Sequence, residues 1–396
     1  MGRNLRNLDW LYFFVADVQT GFGPFIAVYL TDHKWTQAEL GIALGVGSAT
    51  AMLGQVPAGA FVDSLAHKRS AAFAALLAVA ASAALMASSP ALWPVLLAQV
   101  VYGLAACILT PLLAAITLGL VSRSAVPERL GRNARFAALG SALGAGLMGA
   151  MGTWVSSRAV FWLAATLCLP ALLALRGLGA VRPDEAAALN LDEPAHEEWR
   201  HVLLDRPLLS YIACTVLFHL ANAAMLPLAG VEITRRSDEG ASLIIAACIL
   251  VPQMTAALLS PWAGWAAQRW GRRPVLLIGF MALPLRGLLL ALVGNPWLVV
   301  PVQVLDGFGG AAFGVMTPLV ASDLSGPAGR FNLRMGIIGL AIGIGATISN
   351  TVAGGIASSF GSRAAFLALA TAGAGAVLAV ALAMPETRPP VSCQRP

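Results

Sequence analysis

Apolar residues run through this chain in long blocks, such as Ala71–Met86 and Val275–Leu285, rather than in strict alternation or at a 3.6-residue spacing. A helix crossing the hydrocarbon core of a bilayer needs about 20 such residues in a row. Glycines, prolines and charge clusters punctuate the blocks. They predict twelve helices, at 9–31, 38–62, 70–88, 92–122, 134–155, 158–177, 207–231, 240–267, 274–293, 296–323, 332–356 and 362–384. Backbone groups in lipid must be satisfied within the segment, and the ten-residue alternation of an outer-membrane barrel is missing. The spans are therefore read as helices.

Composition agrees. Of 396 residues, 58% are hydrophobic and only 11% charged, against about 25% charged in soluble domains. So little charge cannot cover a soluble globule of this length, which excludes a soluble enzyme, a nucleic-acid-binding domain and a secreted disulfide scaffold. The net charge of +6 is explained by loop arginines facing anionic lipid. With both termini inside, nineteen Lys and Arg fall in inner segments and five in outer loops, and Arg286 alone lies within a span. This bias places both termini in the cytoplasm of a multi-pass protein of the cell membrane, inner or plasma. The five cysteines (Cys107, Cys168, Cys214, Cys248, Cys393) show no C-x-x-C spacing, so neither metal nor disulfide is expected. The basic start, Arg3 and Arg6, runs into the first span with no small-residue cleavage site.

The chain repeats itself at an offset of about 205 residues. Ser157-Arg158-Ala-Val-Phe161 opens span six and Ser362-Arg363-Ala-Ala-Phe366 opens span twelve, while Gln99 in span four is answered by Gln303 in span ten. Many secondary transporters are built from such halves, with the substrate site near the midplane between them. After span two the chain reads Gly59-Ala-Phe-Val-Asp63-Ser-Leu-Ala-His-Lys68-Arg69, and after span eight Gly264-Trp-Ala-Ala-Gln-Arg269-Trp-Gly271-Arg272-Arg273. Both resemble the G-x-x-x-D-(R/K)-x-G-(R/K)-(R/K) loop signature of the major facilitator superfamily, in the matching loops of both halves. The resemblance covers the whole chain. It implies an all-α membrane protein whose twelve helices form two pseudo-symmetric six-helix bundles, residues 1–177 and 207–385. A cytoplasmic linker at 178–206, acidic between Asp184 and Glu198, joins them, and 386–396 form a cytoplasmic tail.

The resemblance also implies a conformational latch built from these loops: Gly59, Asp63, Lys68 and Arg69 in the first, and Gly264, Arg269, Gly271, Arg272 and Arg273 in the second. Asp63 matches the acidic residue that helps latch the halves; Lys68 and Arg69 can serve equally as positive-inside anchors. The first copy departs from the signature at Ser64 and Ala66, and the second at Gln268, where the acidic residue is lost. Exporting branches often carry an arginine in span four and a Gly-Pro motif in span five. Here Gln99 takes the arginine's place, and span five has Gly140, Gly144, Gly146, Gly149 and Gly152 but no proline.

Ionisable side chains inside spans are costly unless paired or hydrated, which makes each a functional candidate. Asp17, His219 and Asp306 are the candidates for proton coupling. Asp17 sits beside Gly21, Gly23 and Pro24, where the helix is weakened and carbonyls can face a cavity; a desolvated carboxyl there can take a proton from one side and release it to the other. Asp306 precedes Gly307, Gly309 and Gly310, which suggest a close helix contact, and His219 is a relay candidate because imidazole titrates near neutral pH. Each of the three can instead be a structural, hydrogen-bonded group. Gln19, Gln99, Tyr102, Asn222 and Gln303 are expected to line a substrate cavity, as neutral polar groups in spans one, four, seven and ten. Arg286, in span nine, reads as snorkelling to the outer surface or as a structural ion pair rather than as a substrate ligand.

No G-x-x-x-x-G-K-(S/T), H-E-x-x-H or G-x-S-x-G occurs. ATP-driven transport, intramembrane hydrolysis, a catalytic group and a cofactor are therefore not expected. The sequence points to a secondary transporter working by alternating access as a monomer. Its partners are a small organic solute, protons and the bilayer, with no nucleic acid, and export by antiport is the leading direction. A proton-linked importer of an organic acid or other metabolite is the alternative, and a non-transporting membrane sensor the remote one. No Lys or Arg stands at mid-depth in spans one, four, seven or ten, which favours a neutral or cationic solute.

Overall fold

The structure, a computed structural model, describes residues 2–20, 24–35, 37–65, 67–179, 199–236, 241–325 and 330–388. Most of the expected linker, the tail beyond Arg388 with Cys393, and Gly21 and Gly23 beside Asp17 lie outside the described residues.

All regular structure among the described residues is helical. The first half comprises α1 (Gly2–Thr20), α2 (Pro24–Asp32), α3 (Gln37–Asp63), α4 (Lys68–Ser88), α5 (Leu92–Leu118), α6 (Val126–Trp154) and α7 (Ser157–Arg176). After the linker come α8 (Trp199–Leu204), α9 (Arg206–Asn222), α10 (Met225–Arg236), α11 (Ala241–Trp270), α12 (Arg272–Leu292), α13 (Val299–Ser325), α14 (Phe331–Phe360) and α15 (Ser362–Ala383). Ten segments among the described residues are long and apolar enough to cross a membrane. The elements fall in the twelve expected positions, with span one formed by α1 and α2 and span seven by α9 and α10.

Two departures have local causes. Span seven was expected as one helix, but regular structure pauses at Ala223 and Ala224. Pro227 has no N–H to give to the Ala223 carbonyl, and its ring crowds that carbonyl, so the ladder is interrupted one turn earlier. The N–H of Ala224, whose helical acceptor would be the Leu220 carbonyl, donates to Ser349 Oγ on α14 at 3.1 Å. Span five starts at Val126 rather than at 134. Pro127 at the helix start and Glu128 in the first turn are favourable there. Arg129 and Arg132, expected ahead of the span, consequently ride on α6; Arg129 is buried and donates from Nε to Asn133 Oδ1 at 2.8 Å.

The chain forms two compact units. The first holds Met1–Val126, Phe136–Glu197 and Ser325–Ile337. Its core is aliphatic, with Leu8, Leu11, Ile26, Leu76, Met86 and Phe161 buried around Tyr29, whose hydroxyl donates to the Met86 carbonyl. The second holds Pro127–Arg135, Glu198–Leu324 and Ile338–Pro396. There Phe218 stacks on Phe313 at 4.8 Å between centroids and tilts against Phe280 at the same distance.

Candidate functional site

Within the first unit, α1 crosses α6 at close range. A Cβ on Gly140 would collide with the Phe13 carbonyl and one on Gly144 with Asp17 Oδ1, so only hydrogen at these two positions lets the helices meet. Asp17 lies in this crossing with 1% of its surface exposed, and Oδ1 has no hydrogen-bond partner. The expected cavity residues nearby are engaged by backbone. Gln99, 3% exposed, donates from Nε2 to the Ala43 carbonyl at 3.2 Å, and the Tyr102 hydroxyl donates to the Gln19 carbonyl at 3.3 Å.

The second unit gives its mid-span acid, Asp306, different company. Arg286 on α12 is 1% exposed, so it does not snorkel; of the two structural readings, the ion pair is what forms. Its Nη1 donates to Asp306 Oδ1 at 2.7 Å and to Asn222 Oδ1 at 2.6 Å, and its Nη2 to Gln303 Oε1 at 2.6 Å. Residues that looked independent along the chain thus converge on one guanidinium from α9, α12 and α13. A guanidinium's planar fork suits several oxygens at once where an ammonium would not. Arg286 Nε and Gln303 Nε2 remain without acceptors. One turn below Asn222, His219 donates from Nδ1 to the Thr215 carbonyl at 3.1 Å, since a carbonyl can only accept, and its ring meets Phe313 edge-on at 4.9 Å.

The repeat gives this contrast a register. At the offset shared by the halves, Asp17 falls on Asn222, Gln99 on Gln303 and Tyr102 on Asp306. Where span nine carries Arg286, span three has Ala81 and Ser82, and the Ser82 hydroxyl is occupied by the Ala98 carbonyl at 2.8 Å. The two halves therefore share a sequence register and differ in the charge carried at these positions.

The signature loops are held by distinct partners. Asp63, buried, receives the Asn332 N–H at 3.0 Å, the Asn332 side-chain amide at 2.8 Å and the Leu333 N–H at 2.8 Å. Those backbone donors lie in the first turn of α14, so Asp63 caps that helix from another segment, where a helix end leaves N–H groups unsatisfied and favours negative charge. Gly59 fits against the Asn332 carbonyl in the same contact. Lys68 reaches the Leu65 carbonyl at 3.3 Å, and Arg69 reaches the carbonyls of Leu178 and Gly179. In the second loop, where Gln268 replaces the acid, Asp323 on α13 takes Arg272 through two bonds of 2.7 and 3.1 Å. Glu386 accepts the backbone N–H groups of Arg272 and Arg273 at the start of α12. Gly271 holds φ +101° at this start, with Gly264 packed on the Pro127 carbonyl, and Arg269 lies 5.7 Å from the Trp265 ring. Asn332, Ser349, Asp323 and Glu386 carry no sequence signal of their own as members of these contacts. No cluster of three or more His, Cys, Asp or Glu suited to a metal occurs among the described residues.

Comparison with known proteins places this geometry in context. The profile of the Major Facilitator Superfamily matches residues 8–252 and 234–396. An uncharacterized MFS-type transporter of Mycobacterium tuberculosis is 38% identical over 393 residues, covering 97% of this chain and 94% of that protein. A multidrug resistance protein B homolog of the same organism is 31% identical over 159 residues, or 39% of this chain and 29% of that one. Among solved structures, the human organic anion transporter MFSD10 superposes with a TM-score of 0.73 at 18% identity, covering 96% of this chain and 99% of the other.

Proposed function

Since the chain belongs to the major facilitator superfamily and is a multi-pass membrane transporter, we propose that it exports a small organic solute in exchange for protons, with Asp17 as the proton carrier. The observation that carries the reading is Asp17 itself. It is a buried carboxyl whose Oδ1 has no partner, in a unit where no described cation pairs with it. A carboxyl deprived of both water and a counter-ion is a candidate to bind a proton instead. Asp306 is the weaker candidate because Arg286 already compensates it. His219 retains an unassigned Nε2 and is a candidate relay. Export rather than import is supported by the partial likeness to the multidrug resistance homolog. A neutral or cationic solute fits spans one, four, seven and ten, which carry no Lys or Arg at mid-depth.

Gln19, Gln99, Tyr102, Asn222 and Gln303 are the proposed cavity residues in a state other than this one, since Gln99 and Gln303 are both buried here. Asp63 with its loop is the proposed latch, and the cell membrane with both termini inside the proposed setting. A thermal-shift screen of the purified protein against metabolites and drugs supplies the solute, because a ligand stabilises the state it binds. In liposomes loaded with that compound, Asp17→Asn should abolish accumulation driven by a pH gradient while downhill exchange persists. Normal concentration of solute by Asp17→Asn, with the usual proton dependence, would assign Asp17 to structure.

A further inference from the structure

One repeated element has no part in the proposed transport: Ser157-Arg158-Ala-Val-Phe161 at the start of α7 and Ser362-Arg363-Ala-Ala-Phe366 at the start of α15. In the first unit this element closes on a tyrosine. Tyr29 on α2 is fully buried, its hydroxyl donates to the Met86 carbonyl at 2.9 Å, and its ring meets Phe161 edge-on at 5.0 Å. Arg158 is within hydrogen-bonding reach of the same hydroxyl. The His33 ring, one turn along α2, lies 4.5 Å from the tyrosine ring. The corner thus holds one aromatic ring, with an oxygen at its tip and a guanidinium beside it.

The second unit repeats the corner without the ring. Phe161 falls on Phe366 and Arg158 on Arg363 at an offset of 205, and Met86 on Leu290 at the offset of 204 that Gln99 and Gln303 share. α2 and α10 match at 203, because Ile26 and Leu30 are buried as Ala229 and Ile233 are. That register sets Glu232 in the place of Tyr29, and Arg236 in the place of His33. The Glu232 carboxylate is turned to partners of its own: it accepts from the Ser362 hydroxyl at 2.6 Å and pairs with Arg236 at 2.9 Å. Arg236 also donates to the Gly294 carbonyl at 3.1 Å. A cavity of about 220 Å³ remains beside them, with Ile233, Leu290, Val293, Phe366 and Arg363 in its walls. Arg363, unlike Arg158, makes no hydrogen bond or ion pair among the described residues.

Size and charge together define what fits. Pockets for drug-sized ligands span about 300–1,000 Å³, so this one admits little more than a single ring. Apolar walls ending on Phe366 suit an aromatic ring, and an unengaged guanidinium suits a carboxylate, which it can hold through two parallel bonds. Arg236 and Arg363 face one Glu232 in the lining, which favours an anion over a cation. We propose that this corner of the second unit is a binding site for a small aromatic carboxylate. Its ring takes the place that Tyr29 fills in the first unit, and its carboxylate pairs with Arg363. The site shares no residue with the Arg286 network and does not depend on which residue carries the proton.

The probes are benzoate and 4-hydroxybenzoate, titrated into the purified full-length protein and read by calorimetry. Acetate serves as the carboxylate without a ring, and benzyl alcohol as the ring without a charge. Both acids should bind saturably, and the two controls far more weakly. Arg363→Gln strands no partner and should weaken benzoate binding about tenfold or more, the usual worth of a charged hydrogen bond. Glu232→Tyr supplies the first unit's residue and should abolish binding by filling the cavity. Benzoate binding that survives either substitution unchanged places the acid elsewhere in the protein and overturns the site. Acetate binding as tight as benzoate overturns it too, by showing that the ring has no place there, and so does the absence of saturable binding by either acid.

Discussion

Asp17, fully buried, and Asp306, 22% exposed, are acids within the spans of the two halves, and they keep opposite company. Asp17 faces the α1–α6 crossing with Oδ1 unpartnered; Asp306 holds an arginine that also gathers Asn222 and Gln303. The repeat explains how this arises, since the residue that corresponds to Asp17 is the amide Asn222 and the residue that corresponds to Asp306 is the phenol Tyr102. At these corresponding positions the carboxyl sits on a different helix in each half, and only in the second half does a cation meet it. A neutral ion pair is well suited to a fixed framework, while an uncompensated carboxyl is suited to exchange a proton. A few substitutions at corresponding positions thus give the two halves different buried chemistry.

The largest effect should follow from breaking the pair on one side only. Arg286→Met leaves Asp306 without its cation; orphaning one member of a buried pair costs about 3–5 kcal/mol, and the 22% exposure of Asp306 puts this case at the lower end. Thermal unfolding in detergent should fall steeply for Arg286→Met, and Arg286→Met/Asp306→Met should regain most of the loss because no charge is stranded. If the double variant melts no higher than the single one, the network matters for its hydrogen-bond geometry rather than for its charge.

Next in size is an exchange between the halves. Asp17→Asn/Asn222→Asp moves the unpaired carboxyl to its equivalent position, where it would lie against Arg286 Nη1, now 2.6 Å from Asn222 Oδ1. The new carboxyl would be compensated at once, so proton-driven accumulation should stay at the level of Asp17→Asn alone. Restored coupling would mean that any carboxyl in either broken span suffices and that the contrast between the units is incidental.

These contrasts were only partly legible in the sequence. The spans were, because a bilayer imposes length and apolarity on contiguous residues, and so was the register of the halves through Ser157/Ser362 and Gln99/Gln303. Arg286, Asp306, Asn222 and Gln303 could each be picked out as polar groups in lipid. Their convergence could not, because it depends on how α9, α12 and α13 rotate against one another, which no local pattern records. The pause after Asn222 did have a local cause in Pro227, and the early start of α6 had one in Pro127 and Glu128. The partners of Asp63 were hidden for another reason. Backbone N–H groups at a helix start are available in every helix, and only the fold decides which start lies beside the acid.

Asp63 is a further buried acid, and it offers the mildest way to sharpen the comparison. Its company is chiefly three N–H donors from Asn332 and Leu333, with Lys68 acting on it electrostatically. Such donors stabilise a carboxylate by charge-assisted hydrogen bonds. Asp63→Asn keeps the shape but replaces one accepting oxygen with an amide that donates, and losing a helix cap of this kind costs about 1 kcal/mol. Because Asp63 touches the start of α14 and none of the proposed cavity residues, equilibrium binding of the screened solute should stay within a few-fold of the parent. If Asp63 is the latch proposed above, the rate of transport should fall several-fold because that contact is weakened. A large loss of binding with an unchanged rate would remove Asp63 from the latch and place it in the site.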